Sequence, residues 1–166
     1  MTTEIPRRAD RALEREFPQA DSLASDCVIN LWRTHAMISE VMGRLLRPHD
    51  LTLTGFRVLM MLRTSPGTTT PAEIADRLGS ARATVTGVLD SLEKRGLVRR
   101  RPHPDDGRRL QVQISDRARD LLDGLLPAYF TRERETVAAL GPERQEQLVQ
   151  LLGDVQRGLV DVGSDG

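Results

Sequence analysis

Apolar positions along the chain recur mostly at three- and four-residue steps, with interruptions at Pro and Gly, so the pattern reads as a series of helices with one exception in the middle. The stretch to about Asp21 is rich in Arg and Glu and predicts a short helix over residues 9–17, broken by Pro18. Over residues 25–46, Val28, Leu31, Trp32, Ile38, Val41, Met42, Leu45 and Leu46 form one helical stripe that Pro48 stops. Thr52 is expected to cap the next helix, which carries Phe56, Leu59, Met60 and Leu62 and closes at Ser65-Pro66-Gly67. Thr70-Pro71-Ala72-Glu73 combines a capping box with Pro at the first helical position and starts a short helix ending at Leu78-Gly79. After only Gly79 and Ser80 a further helix is predicted over residues 81–95, with Val85, Val88, Leu89 and Leu92 inward and Gly96 as terminator.

The exception follows directly. Residues 97–101 and 110–114 read as two short strands around a Pro, Asp and Gly tip, a β-hairpin. Ser115 is expected to cap a helix through Leu121, Leu122, Leu125, Leu126, Tyr129 and Phe130 that runs to residue 140, kinked at Pro127 because that residue donates no amide hydrogen bond. Gly141-Pro142 resets the chain, and Leu148, Leu151, Leu152, Val155 and Leu159 form the stripe of a last helix. Two short helices joined by a tight turn make a helix-turn-helix candidate. The predicted fold is mainly α with a small β-hairpin wing: a winged helix-turn-helix lobe plus a helical region with broad apolar faces.

Charge sharpens this picture. The chain has 166 residues and a formal net charge of zero, yet residues 94–109 hold seven Lys or Arg against Asp105 and Asp106, a local net of +5 that leaves −5 for the remainder. Such sorting suits a grip on a polyanion. Three Phe, one Trp and one Tyr are too few for a single-strand stacking platform, which favours double-stranded nucleic acid. A length of 166 residues leaves one domain or two small lobes open. Cys27 is the only cysteine, so there is no intrachain disulfide, and no apolar run nears the ~20 residues of a membrane span; a cytoplasmic protein is expected. His35, His49 and His103 are widely separated, and no metal site or other cofactor is predicted. No nucleophile with a plausible base, Gly-rich phosphate loop or paired carboxylates in an apolar cleft points to an enzyme.

On a helical wheel with Val85 inward, Ala83, Thr86, Gly87, Asp90 and Lys94 point outward, Thr84 lies at the flank and Arg82 in the first turn. Small outward side chains let a helix sit deep in a major groove, where Thr and Ala methyls meet thymine methyls and hydroxyls meet base edges or phosphates. Taken with Leu51-Thr52-Leu53-Thr54-Gly55-Phe56, Pro71-Ala72-Glu73-Ile74-Ala75, Leu78-Gly79, Arg82-Ala83-Thr84-Val85-Thr86, Leu89-Asp90 and Leu92-Glu93-Lys94-Arg95-Gly96-Leu97-Val98, the chain resembles the MarR family of winged helix-turn-helix transcription regulators over most of residues 25–160. The resemblance implies a wing whose Asp106-Gly107-Arg108 sends Arg108 into the minor groove while Asp106 orients its guanidinium, a role that also suits an Arg at a hairpin tip against a narrow, negative groove. Arg109 is expected to meet phosphate. Many members carry Ser where Ala81 stands, so the cap of the recognition helix is expected at Ser80. The expected DNA-contacting set is Thr70, Ser80, Arg82, Ala83, Thr84, Thr86, Gly87, Asp106, Arg108 and Arg109.

The resemblance further implies an obligate homodimer on a pseudo-palindromic operator with half-sites about 10 bp apart, and a repressor released by a small aromatic or phenolic effector. Apolar stripes that exceed what one winged lobe covers favour a dimer independently. Trp32, His35, Met60 and Met61 are candidate effector contacts, with a packed core as the competing reading. Cys27 lies near where a peroxide-sensing branch carries its reactive thiol; redox control and a buried small hydrophobe are its two readings. A non-enzymatic helical interaction module is the alternative to a regulator. The expected organisation is an N-terminal extension over 1–24, a dimerisation helix over 25–50, the DNA-binding lobe over 51–114, C-terminal dimerisation helices over 115–160 and a flexible tail over 161–166.

Overall fold

The computed structural model describes residues 6–8, 12–65, 69–102 and 110–164. The chain divides into two compact units with the boundary between Leu125 and Leu126.

In the first unit, a short α1 (Ala12–Glu16) precedes the long α2 (Ser22–Leu46). This helix starts three residues before the expected Ser25 because the Asp21 carboxylate accepts from the amides of Leu23 and Ala24, capping it upstream. A 3-10 turn (Arg47–His49) and a left-handed Asp50 then lead to α3 (Leu53–Thr64), capped by Thr52 through the Gly55 amide at 3.0 Å. The Thr70 hydroxyl accepts from the Glu73 amide and the Glu73 carboxylate accepts from the Thr70 amide, so the capping box of α4 (Pro71–Leu78) is complete. Gly79, at φ 59°, ends α4 in the left-handed region. Next comes α5 (Arg82–Lys94), and Gly96 at φ 68° turns the chain into β1 (Val98–Pro102), antiparallel to β2 (Leu110–Ile114) with Val98 opposite Ile114 and Pro102 opposite Leu110.

A single core holds these pieces. Phe56, Leu59, Ile74, Val85, Leu89, Leu97, Val112 and Leu122 are all buried, so α3, α4, α5, the hairpin and the first half of α6 (Asp116–Thr136) share one apolar interior. Gly55 sits where α3 meets α5: a Cβ there would lie 3.2 Å from the Thr52 hydroxyl and 3.7 Å from a Leu92 methyl. Thr69 pairs with Val112, its carbonyl accepting from the Val112 amide at 2.7 Å, which ties the chain entering α4 to the hairpin. Ser115 accepts from the Ala118 amide and donates to the Gly96 carbonyl, joining the start of α6 to the turn after α5. Arg63 on α3 donates to the Arg119 carbonyl and pairs with Asp123, holding α6 from its other side.

The second unit comprises the end of α6 and α7 (Pro142–Ser164). Helix α6 contains Pro127 and stops at Thr136 instead of reaching residue 140, because the Gln145 side chain donates to the carbonyls of Val137 and Leu140 and stabilises a turn there. Helix α7 continues to Ser164, four residues into the stretch expected as a tail. No described side chain of α7 is fully buried, and Val149, Leu151, Leu159 and Val160 are all more than three-fifths exposed.

Candidate nucleic-acid interface

Helix α5 turns Val85, Leu89 and Leu92 into the core, and that orientation leaves Arg82, Ala83, Thr84, Thr86 and Gly87 exposed. Of the residues expected outward from the helical wheel, Ala83, Thr86, Gly87 and Lys94 are exposed, whereas Asp90 is half-buried and pairs with Arg100. The relief of the exposed face is low. The Thr86 hydroxyl donates back to the Arg82 carbonyl at 2.9 Å, which restrains its rotamer. A Cβ at Gly87 would meet nothing within 4 Å, so no described neighbour requires glycine at this helical position. Helix α4, held by its capping box, supports α5 across the three-residue turn Gly79-Ser80-Ala81, α5 starting one residue later than expected.

Two residues expected at the interface are occupied inside the protein. Thr70 is buried, with its hydroxyl spent on the capping box. Ser80 does not cap α5: the N-cap is Ala81, without a side-chain hydrogen bond, and the Ser80 hydroxyl donates to the Leu78 carbonyl at the end of the preceding helix. The tight Gly79 turn directs Ser80 backwards, its own amide bonding the Ala75 carbonyl.

The basic hairpin sorts its arginines by face. Arg99 and Arg101 are exposed, whereas the intervening Arg100 turns towards α5. There its guanidinium pairs with Asp90 at 2.6 Å and reaches Glu93 at 3.7 Å and the Thr86 carbonyl at 3.3 Å, while the Arg100 amide donates to Glu93 at 2.9 Å. The residue sequence carried a signal for this clamp, since Thr86, Asp90 and Glu93 lie on one helical stripe. That stripe's partner on the hairpin is set by the strand phase of Arg100, which the helix pattern alone does not fix. Asp106, Arg108 and Arg109 lie outside the described residues, as does His103.

The candidate effector residues do not form a packed core. Trp32 is 70% exposed and His35 is exposed, both on α2, while Met60 and Met61 on α3 are half-buried. A cleft of about 310 Å³ instead opens between α3 and α5, lined in part by Thr52, Gly55, Thr84, Gly87, Val88 and Arg95, and it includes none of those four residues. Arg95 braces its rim by donating to the carbonyls of His49 and Asp50. Cys27 is exposed on α2 and is not part of the core of its own chain. Among the described residues, no group of three or more His, Cys, Asp or Glu is placed to hold a metal ion, and no helix is long and apolar enough to cross a membrane.

Comparison with known proteins matches this arrangement to one family. Residues 49–109, from the loop before α3 to the wing, match the MarR family. The chain is 32% identical over 128 residues to the uncharacterised HTH-type transcriptional regulator YkoM of Bacillus subtilis, covering 75% of this chain and 82% of that protein. It is 26% identical over 140 residues to the HTH-type transcriptional repressor YetL of the same organism, covering 84% of each. Among solved structures, Bordetella bronchiseptica BpsR, whose DNA binding is regulated by 6-hydroxynicotinic acid, superposes with a TM-score of 0.70 at 25% identity over 76% of this chain and 89% of that one. The winged helix-turn-helix predicted from the apolar pattern and the family to which the motifs pointed are thus the same, and the chain belongs to the MarR family of transcriptional regulators.

Proposed function

We propose that this chain is a cytoplasmic, homodimeric, sequence-specific DNA-binding repressor, released from its operator by a small aromatic or phenolic effector. One observation carries the DNA-binding reading: the exposed, low-relief face of α5 formed by Arg82, Ala83, Thr84, Thr86 and Gly87 stands beside a hairpin stem bearing Arg99 and Arg101. A helix with so little outward bulk approaches base edges closely, and the arginines supply the sequence-independent phosphate term. Arg108 is the wing residue for the minor groove, oriented by Asp106, and Arg109 meets phosphate. YetL's standing as a repressor and the regulation of BpsR by an aromatic hydroxy acid support the finer reading.

Dimerisation is supported by the apolar surface on α2 and α7. Leu23 and Trp32 on α2, and Leu151, Leu159 and Val160 on α7, each expose more than three-fifths of their surface, which is costly in a monomer. The effector site is assigned to α2 and α3 around Trp32, His35, Met60 and Met61.

A mobility-shift titration with duplex from the intergenic region beside its own gene, against a random duplex of equal length at physiological salt, tests this function. Preferential binding of the intergenic duplex is expected, and Arg108→Ala is expected to weaken it. Equal affinity for both duplexes would leave a helical interaction module as the better description, and an unchanged Arg108→Ala complex would remove that residue from the interface.

A further inference from the structure

We propose that Arg100 is a positioning residue that locks the wing to the recognition helix, so that hairpin and helix meet DNA as one preset surface; this rests on the DNA-binding reading above. A two-stranded hairpin is marginally stable by itself and holds an angle only through what it packs on. Val98 and Val112 anchor its base in the core. Outward of Arg100, whose strand partner is the buried Val112, the described residues Arg101, Pro102 and Leu110 are exposed and Gln111 of β2 is buried, so Arg100 is the last described residue of β1 that reaches α5. Its contacts at Thr86, Asp90 and Glu93 span two helical turns, about 10 Å of the α5 axis. Two of its three guanidinium partners are charged and one is a backbone carbonyl, an arrangement that uses the planar fork of Arg and fixes direction as well as distance.

The same stripe starts at Thr86, whose outward side carries part of the proposed base-reading face. The clamp therefore adds, to the core contacts of Val98 and Val112 and the pairing of Thr69 with Val112, a direct tie between the hairpin stem and the proposed base-contacting face of α5. Asp90 and Glu93 are each about half exposed and ion pairs of that kind contribute little to folding. The clamp's effect belongs instead in the cost of arranging two elements on one duplex.

The test compares Arg100→Ala with Arg99→Ala, which removes an equal charge from the exposed face of the same strand. Affinities for the intergenic and random duplexes are measured for each, with circular dichroism and thermal unfolding alongside. Arg99→Ala is expected to weaken both duplexes alike. Arg100→Ala is expected to lower the ratio of specific to random affinity by about tenfold with helix content kept, and Arg100→Lys to restore only part of it, by remaking the Asp90 pair without the Thr86 contact. If Arg100→Ala does not fold, the double variant Asp90→Asn with Glu93→Gln opens the clamp from the helix side and is expected to lose the same ratio. Equal ratios for the wild type, Arg99→Ala and the clamp variants, with the wild type still preferring its own duplex, would overturn this proposal alone. A wild type without that preference would overturn it together with the DNA-binding reading.

Discussion

Thr70 shows how far a single side chain can be read before its surroundings are known. Its capping box is legible because every participant lies within four residues, and the structure contains both reciprocal hydrogen bonds. Its burial was not legible, since that depends on Thr69 pairing with Val112, more than forty residues away in the chain. Thr70→Ala is expected to cost about 1 kcal/mol in a urea titration, with little change in DNA affinity once the protein is folded. Glu40 offers a second residue-level expectation. The Arg47 guanidinium, hydrogen-bonded to it at 2.8 Å, and then Arg44 hold its carboxyl below the ordinary value of 4.5. A depressed acid stabilises the fold above its unfolded value and loses that contribution as the pH falls through its lower folded value. Because the pair is exposed, wild type and Glu40→Gln are expected to differ only slightly in melting temperature at neutral pH, and a pH series of thermal melts should show that difference closing as the pH falls from 4.5 through the lower folded value.

Elements were most legible where their ends are locally encoded. Gly79 and Gly96 both adopt the left-handed conformation that terminates α4 and α5, and Thr52 caps α3 as its spacing predicts. Where an end is decided by a distant side chain, the sequence pattern overran it, as at Thr136, where Gln145 reaches back from α7. The recognition helix gives the element-scale prediction. Leu89 is fully buried at the centre of α5, and Leu89→Ala is expected to destabilise the lobe by about 2 to 5 kcal/mol in chemical denaturation through lost burial and the cavity left behind. Leu92→Met keeps volume and is expected to stay within about 1.5 kcal/mol of the wild type in the same assay.

At the scale of the whole molecule, family and fold were legible because several motifs fall in one order along the chain, while the interface was legible only in part. The exposure of most of the outer face of α5 followed from helical phase, but the different surroundings of Arg99, Arg100 and Arg101 needed the strand's orientation against α5. Exposure of Trp32 was the opposite of core packing; in the proposed dimer, a helix whose partner is another copy would carry an apolar stripe indistinguishable from one that faces its own chain. With a single Trp at 70% exposure, dilution of a dimer should shift its emission to longer wavelength, and Leu151→Glu with Leu159→Glu should sediment as monomer at concentrations where the wild type is dimeric. The outward pair Arg99 and Arg101 has one more consequence. In a chain without net charge, the monopole attraction to DNA vanishes and the leading long-range term is a dipole, which falls off faster with distance but exerts a torque. Beyond about a Debye length, 8 Å at physiological salt, even that is screened, so the field turns the molecule rather than drawing it in, and orientation is selected during the last few ångströms of approach.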